Sequence, residues 1–256
     1  MNWMMPYLEA ASSRFVASEH MGKLISTALL SMVPLFEGRY AVSTSILMGV
    51  PAGFAFLLAL ARIYTVPYVA KFASVYVSVM RGIPMVLQIL LVYSLLPSLL
   101  NYLFKRAGIA YNIFDLDTIW YAYIIFTLGE IAVLSEVFRS ALGSVGDGQI
   151  EAGLSVGMNR RTIYRRILIP QALVTAMPSL CNVTVTLLKN TSLAFMMAVQ
   201  DITATGKIAA SYGYNYVEAY LDVFLVYIIV CSLVQIAFRI SEKHLGRFRH
   251  ASQTSG

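Results

Sequence analysis

The sequence predicts an all-α integral membrane protein, and composition is the first reason. Of its 256 residues, 58% are hydrophobic and 12% are charged, with a mean hydropathy of +0.70. Soluble domains carry roughly 25% charged residues, so an ordinary soluble fold is disfavoured. The net charge of +6 comes from basic residues beside apolar stretches, where they anchor helix ends. The aromatic interleaving of a nucleic-acid-binding patch is missing, so we expect no nucleic-acid partner.

Five apolar stretches predict about five transmembrane helices, because each is close to the ~20 residues that a spanning helix requires. The predicted spans cover residues 40–63, 85–104, 118–138, 172–199 and 219–238. Between the first two, the shorter apolar stretch 72–80 ends at Arg81-Gly82-Ile83-Pro84, where glycine and proline predict a break in the helix. Residues 40–240 are therefore expected to form one transmembrane domain.

The two ends of the chain are expected to lie outside that domain. Residues 1–39 form a lead-in without the continuous apolar core of a signal peptide. Within it, the stretch 24–36 is expected either to lie on the membrane as an amphipathic helix or to span it. Residues 241–256 form a basic tail.

Basic residues set the expected orientation. They cluster after the first, third and fifth spans, as Arg62 and Lys71; as Arg139, Arg160, Arg161, Arg165 and Arg166; and as Arg239, Lys243, Arg247 and Arg249. Cytoplasmic loops carry an excess of lysine and arginine. The N-terminus is therefore expected outside, and the C-terminus and the loop 147–170 in the cytoplasm.

The loop 147–170 is the long polar, positively charged run in the interior of the sequence, and it predicts two short helices with a sharp joint. Gly148 is the expected N-cap of the first helix, 149–156, and Glu151 is expected to reach back to that cap. Gly157 is a natural left-handed stop.

The second helix of the loop is expected over residues 160–169. Asn159 is its predicted N-cap, and Pro170 is expected to end it. Charge alone leaves two interpretations open, since an ordinary positive-inside connection and a docking element for a cytoplasmic partner would both look like this.

The loop resembles the EAA loop of ATP-binding-cassette (ABC) importer permeases, whose pattern is E-A-A-x3-G-x9-I-x-L-P. The matching residues are Glu151-Ala152-Gly153, then Gly157, then Ile167-Leu168-Ile169-Pro170. Two positions depart from the pattern, because Gly153 stands where a second alanine is usual and Ile169 where leucine is usual.

Three further blocks narrow the resemblance to the polar amino acid class, the histidine/glutamate/glutamine/arginine/opine permeases. They are similar to that class's RGTPLLVQ, AEIFRG, and LPQA with LLKDTSL. The corresponding residues here are Arg81 to Gln88, Ser135 to Ser140, and Pro170-Gln171-Ala172 with Leu187 to Leu193. Asn190 stands where aspartate is common.

The resemblance implies a multi-pass subunit of a bacterial cytoplasmic membrane transporter. It implies a second permease subunit, as homodimer or heterodimer, two cytoplasmic ATPase subunits and an extracytoplasmic substrate-binding protein. The sequence contains no G-x-x-x-x-G-K-[ST] phosphate-binding motif, so this chain is not expected to be an enzyme. No cofactor or metal is expected on the chain, and ATP and magnesium are expected in the ATPase partner.

The resemblance also assigns ATPase coupling to the loop. The expected coupling residues are Glu151, Ala152, Gly153, Gly157, Ile167 and Pro170. Small side chains in the first helix would let two surfaces approach closely, and Gly157 permits the turn. The alternative is that these residues only stabilise a helical hairpin and take no part in coupling.

Polar side chains inside the spans are expected to determine substrate selectivity, because placing an unpaired polar group in hydrocarbon costs free energy. The candidates are Glu130, Gln88, Lys189, Asn190, Thr191 and Ser192. Glu130 lies near the middle of the third span, where a carboxylate could hold the ammonium of an amino acid. It could instead pair with Lys189 or another helix in a purely structural role, or could simply be protonated. The expected cargo is a polar amino acid, with a basic or sulphur-containing one such as cystine as the narrower possibility.

Two other functional classes fit the sequence less well than a permease subunit. A stand-alone secondary transporter or channel often shows inverted repeats with matching broken helices, and no such pair is visible. An intramembrane enzyme would need a nucleophile–base pair or metal ligands in the spans, whereas His20, His244 and His250 lie outside them. Cys181 and Cys231 are unpaired in spacing and are expected to be small buried residues.

Overall fold

The computed structural model describes residues 38–109 and 111–250, with side chains from Pro51 to Leu245. The expected lead-in segment 24–36 and residues 251–256 of the tail lie outside these residues. The described chain is helical, without strands. Its α-helices are α1 (Gly38–Ile63), α2 (Val69–Gly82), α3 (Met85–Arg106), α4 (Thr118–Gly143), α5 (Gly148–Ser155), α6 (Arg160–Ile163), α7 (Ile169–Asn190), α8 (Ile202–Gly213) and α9 (Tyr216–His250). A 3₁₀ turn, Ile113–Asp115, precedes α4, and another, Thr191–Met197, follows α7.

Four helical segments of the described chain are long and apolar enough to cross a membrane. They are Met85–Arg106, Thr118–Gly143, Arg160–Met197 and Tyr216–Leu245. The stretch Pro51–Ile63 of α1 is apolar but shorter. The all-helical membrane class is thus confirmed, while the five-span count and the orientation stay predictions.

The predicted break between α2 and α3 is confirmed at Ile83-Pro84. It lies against the middle of α4, because the Tyr76 hydroxyl of α2 donates to the Leu128 carbonyl (2.5 Å). Met85 at the start of α3 also packs against Gly129. The interrupted helix therefore turns beside the centre of α4.

The prediction that Pro170 ends the second loop helix is wrong. Instead, α6 continues through a five-residue π-turn, Tyr164–Leu168, straight into α7, and Pro170 lies in the first turn of α7. A proline inside an α-helix clashes with the carbonyl four residues earlier. The wider i→i+5 spacing of a π-turn displaces those carbonyls, so the chain stays helical across the proline.

Helices α1 and α4 are joined at one end by an ion cluster. Glu136 Oε2 accepts a hydrogen bond from Arg62 Nη1 (2.6 Å), and Oε1 accepts from Arg139 Nε (3.0 Å) and Nη2. Glu136 and Arg139 lie three residues apart on α4, and Arg62 is a third member that lies 74 residues from Glu136 in sequence. The Arg62 and Glu136 side chains are only 18% and 24% exposed, so this cluster is largely shielded from water.

Replacing Glu136 with glutamine should destabilise the fold, because Arg62 and Arg139 would lose their shared counter-charge. We expect a loss of about 1–2 kcal/mol in the free energy of unfolding. Thermal unfolding of the purified chain in detergent measures it. Asp115→Asn, at an exposed position of the α3–α4 connector, is the control and should change little. Equal effects of the two changes would contradict the cluster's role.

Candidate functional site

The first helix of the loop, α5, is confirmed, although its predicted cap is wrong. The helix begins at Gly148, so Asp147 takes the N-cap position, and its carbonyl accepts from the amides of Ile150 (2.9 Å) and Glu151 (3.0 Å). The starting residue thus lies one position earlier than expected, which moves Glu151 beyond the reach of a capping box. The Glu151 side chain is exposed and forms no ion pair or hydrogen bond with any described residue, so its charge is free for a partner.

Gly153 is the buried residue through which α5 contacts the second half of the loop. An ideal Cβ on Gly153 would lie 2.7 Å from both Cδ1 and Cγ1 of Ile163. Real Cβ atoms do not approach other atoms so closely, and Ile163 is fully buried. The glycine at this position, which departs from the EAA pattern, therefore lets α5 pack tightly on α6. Its neighbour Ala152 is exposed on the outer side.

The joint between α5 and α6 matches the prediction. Gly157 has φ +79°, and the amides of Gly157 and Met158 donate to the carbonyls of Leu154 and Gly153 (both 3.0 Å). This pair of bonds is a Schellman motif, which needs a left-handed residue after the helix. Asn159 then caps α6, because its Oδ1 accepts from the Thr162 amide (2.8 Å).

The base of the loop encloses a small cavity of about 150 Å³. It is bounded by the ends of α1 and α4, the start of α5 and the π-turn, through Ile63, Leu142, Gly143, Val145, Gly146, Asp147, Ile150, Tyr164 and Leu168. The rings of Tyr64 and Tyr164 meet at its edge, with centroids 6.0 Å apart. Of the remaining expected coupling residues, Ile167 is half-buried and Pro170 is exposed.

Gln88, a predicted pathway residue, closes the break between α2 and α3. Its Nε2 donates to the carbonyls of Met80 and Ile83 (both 2.7 Å), which are carbonyls that the interrupted helix leaves free. Both amide protons are therefore committed to the backbone. The amide oxygen Oε1 is buried without a hydrogen-bond partner among the described residues. As a carbonyl oxygen it can accept a hydrogen bond but cannot donate one.

Glu130 is buried in the middle of α4, with 9% of its surface exposed. No described residue forms an ion pair with it, and Lys189 is itself exposed. A lone carboxylate is costly within a membrane, so Glu130 stays the leading candidate among the predicted pathway residues.

Along the chain, the pathway candidates adjoin members of one apolar cluster that is shared by α3, α4, the end of α7 and the 3₁₀ turn after it. That cluster consists of Ile89, Ala122, Ile125, Phe126, Leu187, Ala194 and Met197. Gln88 directly precedes Ile89, and Glu130 follows Phe126 by one helical turn. Along the chain, the segment Lys189–Ser192 lies between the cluster members Leu187 and Ala194. Each candidate is therefore a near neighbour along the chain of a residue in this cluster.

The side-chain hydroxyl groups of two of those candidates donate hydrogen bonds to backbone carbonyls. The Thr191 hydroxyl donates to the Leu188 carbonyl and the Ser192 hydroxyl to the Lys189 carbonyl (both 2.7 Å). These bonds satisfy carbonyls at the point where α7 changes to the 3₁₀ turn. Thr191 and Ser192 can thus accept hydrogen bonds from a substrate, whereas the exposed Lys189 can donate.

A polar cluster that sequence reasoning missed lies where α8 meets α9. Asp201 caps α8 through Oδ1, which accepts from the Ala204 amide (2.8 Å). Its other oxygen, Oδ2, is buried, as are Thr203 Oγ1 and Tyr227 Oη, and these three side chains interact with one another electrostatically. Burial raises the pKa of the Asp201 carboxyl above its usual value. The sequence signal that could have found this cap is an aspartate directly before a helix, because aspartate is a preferred N-cap residue.

Comparison with known proteins bears on what this arrangement does. Residues 45–247 match the family described as "Binding-protein-dependent transport system inner membrane component". The L-cystine transport system permease protein TcyL of Bacillus subtilis (strain 168) is 34% identical over 206 residues, which is 80% of this chain and 83% of TcyL. The probable amino-acid permease protein YxeN of the same organism is 37% identical over 191 residues, 75% of this chain and 81% of YxeN.

The fold also resembles a solved transporter subunit. A chain in the crystal structure of an amino acid ABC transporter with histidines aligns over 93% of this chain and 97% of its own length, with a TM-score of 0.65 and 20% identity. At that identity the likeness concerns the fold alone.

Gly153→Ala should destabilise the packing of α5 on α6, because the added methyl group overlaps Ile163. We expect a cost of about 1–3 kcal/mol, measured as a lower thermal midpoint and as faster proteolytic cleavage of the loop. Gly148→Ala is a matched control on the same helix, since a Cβ there would meet nothing within 4 Å.

Adding Ile163→Val to Gly153→Ala should recover part of the loss, because valine removes one of the overlapping carbon atoms. A double-mutant cycle measures this coupling. Strictly additive effects of the two substitutions would show that the close contact does not govern the packing of the loop.

Proposed function

The chain belongs to the family of binding-protein-dependent transport system inner membrane components, the permease subunits of ABC importers, and we propose that it carries a polar amino acid. The similarity to TcyL and YxeN, permeases that are named for cystine and for amino acids, is the observation that carries this proposal. A subunit of this kind forms the membrane pathway, and energy comes from elsewhere in the complex. A stand-alone secondary transporter or channel has no comparable support.

Cystine is the narrower proposal for the cargo. It is supported by TcyL, which is named as an L-cystine permease, and by the related L-cystine permease TcyB of the same organism, 32% identical over 195 residues. A zwitterionic substrate of this kind offers ammonium groups, which need acceptors, and carboxylates, which need donors. Glu130 and Gln88 Oε1 are buried acceptors, and Lys189 is an exposed cation at the end of α7.

The loop 147–170 is proposed to couple this pathway to two cytoplasmic ATPase subunits, which would bind ATP and magnesium. Its support is geometric. The exposed face of α5 presents Glu151 and Ala152, while Gly153 fixes the helix on α6. Because α6, the π-turn and α7 are continuous, a displacement of α5 would pass along the backbone into the membrane.

The complete transporter would be located in a bacterial cytoplasmic membrane. It would contain a second permease subunit, identical or related, and would receive substrate from an extracytoplasmic binding protein. Alternating access would expose the region around Glu130 to one side and then to the other.

Glu151→Lys should uncouple ATP hydrolysis from transport, because it reverses a free charge on the docking face without touching the packing of the loop. In proteoliposomes that hold the whole complex, we expect ATP-driven uptake to fall at least tenfold while the complex remains assembled. Glu218→Lys, the same change at an exposed position of α9, should leave uptake near the original rate. Normal coupling in the Glu151 variant would refute the docking role.

Glu130→Gln should weaken substrate binding, because it removes the buried charge while keeping the size of the side chain. Loss of a hydrogen bond to a charged group costs about 1.5–3 kcal/mol, so we expect KM for uptake to rise roughly 10–100-fold. Thermal stability should not fall, since no described residue pairs with Glu130. Lower stability with an unchanged KM would assign Glu130 to structure instead.

A further inference from the structure

The π-turn Tyr164–Leu168 carries two arginines that neither the pathway nor the coupling helix explains. Arg165 and Arg166 are both exposed, and neither forms an ion pair with a described residue. Their neighbours Ile163 and Leu168 are buried. The turn is thus held against the protein by two aliphatic side chains, while two guanidinium groups point away from it.

The position of the turn along the membrane normal limits what those groups can meet. The apolar segment of α7 begins at Ile169, which is exposed, as is Leu173 one turn further on. A helix rises 1.5 Å per residue, so Arg165 and Arg166 lie only about 4–6 Å before the first lipid-facing residue. Polar headgroups extend roughly 5–7 Å beyond the hydrocarbon on each side. With Ile169 at the edge of the hydrocarbon, both arginines lie at headgroup level.

From this placement we propose that Arg165 and Arg166 bind the phosphate of an anionic phospholipid at the base of the coupling loop. Guanidinium groups bind phosphate oxygens in a bidentate manner, and a surface of anionic lipid attracts cations beside a transmembrane helix. The local charge favours an anion, because Arg160 and Arg161 are also exposed on the preceding turn, whereas Asp147 and Glu151 are the acidic residues of the loop.

The site is separate from cargo selection and from ATP hydrolysis. Its expected consequence is that lipid composition controls the stability of the π-turn and hence the connection between α6 and α7. Arg160 and Arg161 lie nearer the joint of the loop and remain available to a protein partner. The proposal depends only on the location of Arg165 and Arg166 at the membrane surface.

The test counts lipids bound to the full chain in neutral detergent by native mass spectrometry. Phosphatidylglycerol is compared with phosphatidylcholine of the same acyl chains. Each cation near an anionic surface contributes about fivefold in affinity, so Arg165→Gln with Arg166→Gln should lower phosphatidylglycerol affinity on the order of 25-fold. Binding of phosphatidylcholine should not change. The same pair replaced by lysine should keep most of the preference, which controls for folding.

Lys105→Gln with Arg106→Gln is the matched control, because it removes two exposed cations from the far end of α3. That variant should keep the lipid preference. Equal losses in both pairs would show general charge attraction and overturn the proposal. So would competition by millimolar inorganic phosphate, which would indicate a site for free anions. Unchanged phosphatidylglycerol binding in the glutamine pair, with loss of ATP-driven uptake in the complex, would assign the arginines to the ATPase partner.

Discussion

In a membrane, every backbone carbonyl and amide must find its partner within the protein, and the irregular parts of this fold follow from that constraint. The break between α2 and α3 would leave carbonyls unpaired in the middle of the domain, and the Gln88 amide pairs with two of them. At the end of α7, Thr191 and Ser192 do the same through their hydroxyl groups. Polar side chains in this chain therefore first serve the backbone, and only the atoms left over can serve a substrate.

This distinction reduces the proposed substrate contacts to the polar atoms that do not bond to the backbone. Gln88 keeps one acceptor oxygen, and Glu130 keeps its whole carboxylate, since neither finds a partner for it among the described residues. Gln88 directly precedes Ile89 and Glu130 follows Phe126 by one turn, and Ile89 and Phe126 belong to the same apolar cluster. By contrast, Glu136 is also an acidic residue of α4, yet Arg62 and Arg139 fully engage its carboxylate. One helix thus carries a structural carboxylate and a free one, two turns apart.

The features that depend on local chemistry could be predicted from the sequence. Gly157 as a left-handed stop, Asn159 as a cap and the break before Pro84 each follow from residue type within a few positions. Contacts between distant segments could not be predicted in this way. The partnership of Arg62 with Glu136 and the close approach of Ile163 to Gly153 depend on how helices pack. Pro170 misled the prediction because a π-turn, which has no simple sequence signal, accommodates it.

The helix is continuous from the loop into the membrane segment, and the proposed transmission of motion from an ATPase depends on this continuity. An ATPase that moved α5 would move α6, and the helical backbone through the π-turn leaves no flexible linker to absorb the motion. ATP-dependent uptake of radiolabelled cystine and other polar amino acids into proteoliposomes that hold the complete transporter tests this account most directly. Saturable uptake that requires both ATP and the binding protein is the predicted result. Uptake by this chain alone, driven only by a substrate gradient, would contradict it.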